Sequence, residues 1–351
     1  MWLTEFDLLI WIVFIDGLSW SVAYAIGPWQ AGRHLMAKNE HVVLRASIYA
    51  LIIIIFMQYA IYGLGGFVNL ANPNIEPVET VIIWAAKNMV PEFLGALLLA
   101  GIMAAALSSA STFLSLIGFS LSNDIVKRDE PLTLGKTRII MMITGIVVLI
   151  ASFYFPANIF WLMIFIGTVF SSSWGVVGFM SVWSKKLTAD AAFWGMISGL
   201  VFNVVPAALV YFEFISLPSY MNPAIIGVVV SLIVTLFMCT RTTVTRAEAR
   251  YRMRMHRPPE EDCDPAAIKK TMIAPIIQII FGFIMPFLLI YNYVIPYQRG
   301  AGQLLPDGSL DWTQVEPILA VSWVFIHVPL GCLTIYILRT RYARGIKTRR
   351  H

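Results

Sequence analysis

Two stretches of the chain carry residue types at spacings that could do chemistry. Trp20, Tyr24 and Pro28 recur every four residues in DGLSWSVAYAIGPWQAGRH, and Ala105, Ser108 and Ser109 stand at i, i+3 and i+4 in LLLAGIMAAALSSASTFLSLIGFSLSNDI. On a helix each set shares one face. The second set would turn two hydroxyls and a main-chain carbonyl toward one point, an oxygen set suited to an alkali cation stripped of water. Sodium takes about five oxygens by this logic, so a second helix must supply the rest. The competing reading of Ala, Ser and Gly here is close helix packing.

In the first stretch Pro28 has no N–H to give to the carbonyl of Tyr24, and Gly17 and Gly27 loosen the same helix. Inside a bilayer such a break is tolerated only where it is buried in protein or lines a cavity. Trp20 and Tyr24 beside freed backbone groups would suit a small polar solute. The alternative is an ordinary proline kink with interfacial aromatics. Asp16 lies toward the outer end of this segment; it either draws cations to a vestibule or is a hydrated interfacial acid.

These residues sit in a chain built for lipid. Of its 351 residues 58% are hydrophobic and 13% charged, with mean hydropathy +0.76; soluble domains carry about 25% charged residues. Nine apolar segments are long enough to cross a bilayer, at roughly 8–30, 43–66, 92–120, 138–155, 158–182, 190–212, 222–240, 272–296 and 317–338. The expected fold class is therefore an all-α polytopic membrane protein. With the N-terminus outside, 23 of the 25 Lys and Arg residues fall in inner loops and tail, and only Lys87 and Arg299 outside. That bias places the C-terminus in the cytoplasm, in a plasma (inner) membrane. It also accounts for the net charge of +5 without nucleic acid.

The remaining features point to no second chemistry. The acidic start (Glu5, Asp7) does not read as a cleavable signal peptide. Cys239, Cys263 and Cys332 match no metal spacing, and neither do the five histidines. An enzyme is not expected, and His327 reads as a hydrogen-bonded packing residue. The inner stretch 241–271, with RAEARYRMRMHRPPEEDCD, reads as a solvated loop whose charge fixes orientation; the alternative is an amphipathic helix on anionic lipid. Pro306-Asp307-Gly308 marks a turn in the outer loop 297–316, and 67–91 reads as a turn plus a short helix of the kind that can act as a lid.

The Ala105-x-x-Ser108-Ser109 core with Asn123-Asp124-Ile125 just after it resembles the sodium-binding helix of the sodium:solute symporter family, which includes proline, pantothenate and sugar symporters. Trp20-x-x-x-Tyr24-x-x-x-Pro28, then Gln30 and Arg33, is similar to the proline-permease branch. The likeness covers roughly residues 8–240. It implies Na+ as coupling ion at Ala105, Ser108 and Ser109, a small-molecule solute near Trp20, Tyr24 and Pro28, and an inverted-repeat fold of the LeuT type. Residues 1–182 would then be the second five-helix repeat, and 183–351 peripheral helices with loop 241–271 and a cytoplasmic tail. The first repeat, with its own broken helix, has no counterpart among the later segments. A partner chain or an upstream segment is the expected source, and the short stretch before the first helix fits a cut between repeats. A sensor or regulatory subunit, or an inactive remnant, is the alternative.

Overall fold

The computed structural model describes residues 10–122, 133–154 and 159–342. Among them every regular element is helical, and eight helices are long and apolar enough to span a membrane. The ninth expected span is not one continuous α-helix. It runs as a π-helical segment Ile10–Leu18, then α1 (Ser19–Ile26) and α2 (Pro28–Leu35), broken at Gly27. The others follow as α3 (Glu40–Ala71), a short α4 (Val81–Asn88), α5 (Glu92–Ser120), α6 (Leu134–Ser152), α7 (Ile159–Phe170) and α8 (Val176–Trp183). A π-helical turn, Ser171–Gly175, joins α7 to α8 within one span. Next come α9 (Ala189–Tyr211), α10 (Pro223–Arg241), α11 (Arg246–Met255), α12 (Pro265–Leu289), α13 (Ile295–Ala301) and α14 (Val315–Ile337).

Local chemistry sets several boundaries. The Asn222 and Asp264 side chains accept hydrogen bonds from the first amides of α10 and α12, and Pro223 and Pro265 fill the position that needs no donor. Thr188 caps α9 by accepting from Ala191 N, 3.1 Å away. Gly302, at φ 66°, ends α13 in the left-handed conformation that glycine adopts without steric cost. The turn expected at Pro306-Asp307-Gly308 is present, closed by Gly308 N donating to Leu305 O at 2.8 Å.

The chain divides into two compact units. The first comprises Met1–Leu35 and Gly65–Met253. Its most extensive helix pair is α9 with α10, both also packed on the Ser171–Gly175 turn. Ser231 Oγ of α10 donates to Gly195 O of α9 at 2.9 Å. A methyl at Gly199 would fall on the Ser172 carbonyl oxygen, so only glycine lets α9 lie this close to the turn.

The second unit comprises Met36–Leu64 and Arg254–His351. In it α12 packs on α14 through Gly282 and Gly331, with Phe281 edge-on to Trp323. His327 is buried, with its ring stacked on Trp323 at 5.0 Å. Among the described residues its Nδ1 has no hydrogen-bond partner, and its ring packs on Trp323 and Phe281. Near the start of α3 a polar group gathers: Arg341 pairs with Glu40 at 2.8 Å, and the Tyr342 hydroxyl donates to Glu40 at 2.5 Å.

The stretch 241–271, expected as a solvated loop, is helical in large part. It contains α11, and α12 begins within it at Pro265.

Candidate functional site

The helix break occurs at Gly27-Pro28, whereas Gly17 lies within the π-helical segment Ile10–Leu18. α1 ends at Ile26, and Gly27 is extended, with φ −60° and ψ 136°. Its carbonyl accepts from Gln30 N and Ala31 N at 3.1 and 3.0 Å and so opens α2. A methyl at Gly27 would sit 2.6 Å from the Ala23 carbonyl oxygen and 2.7 Å from the Trp29 ring. The break therefore leaves no room for a side chain at position 27, and Pro28, which has no N–H to donate, starts α2.

Trp20 and Tyr24 stay together, with ring centroids 5.5 Å apart. Trp20 lies against Gly167 of α7, where a methyl would meet its indole at 3.1 Å. Val22 and Ile26 fit against Gly175 and Gly178 in the same way. A glycine-studded face of α7 and α8 thus seats α1, and Trp20 is half-buried while Tyr24 stays exposed. The π-helical turn behind this seat is fully buried at Ser171, Ser172 and Ser173, whose hydroxyls donate to Thr168 and Val169 carbonyls within the helix. π-Helical turns of this kind recur at functional sites.

Trp29 was not among the residues singled out from the sequence, yet it connects the elements. Its ring is edge-on to Tyr24 at 6.2 Å, to Phe113 of α5 at 5.7 Å and to Phe170 of α7 at 5.1 Å. These are favourable aromatic geometries. Its position just after Gly27-Pro28 was the available signal, because a bulky aromatic beside a helix break fills the wedge that the bend opens.

Ala105, Ser108 and Ser109 share one exposed face of α5. The Ser108 carbonyl accepts from the Ser111 and Thr112 hydroxyls, both at 2.9 Å. No partner for the Ser108 or Ser109 hydroxyl occurs among the described residues. Phe113, on the same helix, is where α5 meets Trp29. The structure therefore ties the helix of the candidate cation residues to the break, but it does not bring Ser108 and Ser109 against Trp20 or Tyr24. Asn123-Asp124-Ile125, part of the same sequence signature, lies outside the described residues, as do Pro156 and Asn158.

A cavity of 360 Å³ opens beside the Val22–Gly175 contact, between Leu18, Val22, Val176, Phe179, Ile225 and Val228. Its two hydroxyls are already committed: Ser19 donates to Phe14 O and Ser171 to Thr168 O. Such a lining suits hydrocarbon rather than a polar solute. Among the described residues no three His, Cys, Asp or Glu side chains converge in a way that could hold a metal ion, and all three cysteines are free.

Comparison with protein families matches residues 6–199, more than half of the chain, to the model described as the sodium:solute symporter family. No curated protein and no solved structure matches the chain.

Proposed function

The chain belongs to the sodium:solute symporter family, and on that premise we propose that it takes part in sodium-driven uptake of a small organic solute. The observation that carries the reading is the break at Gly27-Pro28, with Trp29 bridging from it to α5. In a bilayer a bent, partly unbonded backbone must face a cavity or be covered by protein, and the sequence puts Trp20 and Tyr24 along one side of it.

In this proposal sodium is held by the Ser108 and Ser109 hydroxyls and the Ala105 carbonyl, with further oxygens from a second broken helix. That helix comes from a partner chain or an upstream segment, with residues 1–182 acting as the second repeat. Sodium ties α5 to it and favours the outward-facing arrangement. The same arrangement orders Trp20, Tyr24 and the backbone at Pro28 around the solute. Ion and solute are then coupled through one conformational equilibrium. The similarity to the proline-permease branch favours a small carboxylate or amino acid. The Lys and Arg bias supports an inner-membrane orientation with an outer N-terminus and a cytoplasmic C-terminus.

The test uses the chain isolated from its native membrane with any companion retained, reconstituted in lipid vesicles. Binding of radioactive sodium is measured for the native chain and for Ser108→Ala/Ser109→Ala. The expected result is saturable binding that the double variant weakens roughly tenfold or more. Equal sodium binding by the two would remove these residues from the ion site.

A further inference from the structure

α11, whose residues 246–253 belong to the first unit, is held against that unit by one face. Thr245 and Glu248 form a reciprocal cap: Thr245 Oγ1 accepts from Glu248 N at 3.2 Å, and Glu248 Oε2 accepts from Thr245 N at 2.6 Å. The second carboxylate oxygen of Glu248 accepts from Ala189 N, 2.8 Å away, at the start of α9. One turn on, Arg252 Nη2 donates to Leu187 O at 2.9 Å. A single carboxylate thus serves the positive ends of two helices.

These contacts also fix the level of α11. α8 ends at Trp183, α9 begins at Ala189 and α10 ends at Arg241, all termini of membrane-spanning helices. Only residues 242–245 separate Arg241 from α11. The helix is therefore pinned level with the ends of three spans, in the headgroup layer rather than out in bulk solvent.

At about 100° per residue, the face opposite Glu248 and Arg252 carries Arg246, Arg250 and Arg254 at i, i+4 and i+8, flanked by Tyr251 and Met253. All five are exposed, and none of the arginines makes an ion pair among the described residues. Tyr251 and Met253 are 68% and 56% exposed, which is costly in water but favourable at an acyl–headgroup boundary. Lys185 and Lys186, in the α8–α9 connection against which α11 docks, add positive charge nearby.

We infer that α11 is a binding surface for anionic phospholipid headgroups of the bilayer in which the chain sits. The arginines engage lipid phosphates, and Tyr251 and Met253 enter the shallow apolar layer. The inference rests on the membrane-spanning architecture and stands apart from the transport reading.

The test places the full chain in nanodiscs of neutral phosphatidylcholine alone, or with phosphatidylglycerol added. Retained lipid is counted by native mass spectrometry, and amide exchange is followed over residues 246–255. Phosphatidylglycerol should be retained in preference to phosphatidylcholine, and exchange should slow only in the anionic discs. Each arginine contributes roughly fivefold to lipid occupancy. Arg246→Gln/Arg250→Gln/Arg254→Gln should therefore lose at least tenfold of the preference, and the matching Arg→Lys variant should keep most of it. The lysine variant separates loss of charge from loss of fold. Exchange that ignores lipid charge, or a glutamine variant that retains the preference, would overturn the inference.

Discussion

The seat of α1 and the hydroxyl face of α5 are both candidate parts of one site, yet they are built in opposite ways. Around α1, glycines at 167, 175 and 178 admit Trp20, Val22 and Ile26 into close contact, and the serines behind them are buried. In the span Phe160–Trp183, 44% of the most apolar stretch is buried, against 6% in α5. Ala105, Ser108 and Ser109 stand exposed instead. The lesson is that a packed seat and a donor surface respond to different substitutions. In the seat, geometry is over-determined by neighbours, so added volume is felt as lost stability. On the α5 face a substitution changes what can bind and leaves the fold nearly untouched.

Four variants sharpen or break that contrast on one scale, the midpoint of thermal unfolding in detergent. The largest fall is expected for Gly199→Val, whose side chain would run into the Ser172 backbone; overpacking of this kind costs about 1–3 kcal/mol, and more when backbone must move. Gly27→Ala follows, because its methyl meets the Ala23 carbonyl and the Trp29 ring, at about 1–3 kcal/mol. A native-like midpoint for Gly27→Ala would mean that the bend does not depend on that close approach. Thr245→Ala removes the cap of α11, for about 1 kcal/mol of helix stability, read most directly as faster amide exchange over 246–255. Ser108→Ala/Ser109→Ala should move the midpoint least, within about 0.5 kcal/mol, while sodium binding falls. A large drop in its midpoint would show that the α5 face is packed after all and would dissolve the contrast.

Acid tests the α11 docking separately. The N–H and hydroxyl of Thr245, then the N–H of Ala189, hold the Glu248 carboxyl below its ordinary value of 4.5. A depressed carboxylate stabilises the docked state above the unfolded value, and that contribution is lost as pH falls through the lowered folded value. Amide exchange over 246–255 should therefore rise only below about pH 4.5. In Glu248→Gln it should already be faster at neutral pH, without that acid limb.

Much of this was legible in the residues. Pro28 after Gly27 announced the break, because a missing N–H and a missing side chain act locally. Trp29 was not picked out, because its role depends on Phe113 and Phe170, which lie about 80 and 140 positions away along the chain. The serine run 171–173 was not picked out either, since a π-helical turn has no composition of its own and is stabilised by what packs on it.

The residues alone were enough for the solvent and the all-helical class. Hydropathy adds up residue by residue, so long apolar runs in a sparsely charged chain mean membrane helices, and the Ala105-x-x-Ser108-Ser109 and Trp20-x-x-x-Tyr24-x-x-x-Pro28 patterns carried the family resemblance. The tertiary structure alone decided which face of α1 meets the glycines of α7 and α8, that Trp29 links the break to α5, and that Glu248 docks α11 beside the ends of three spans. Each of those depends on contacts between residues distant in sequence, whose energies no local pattern contains.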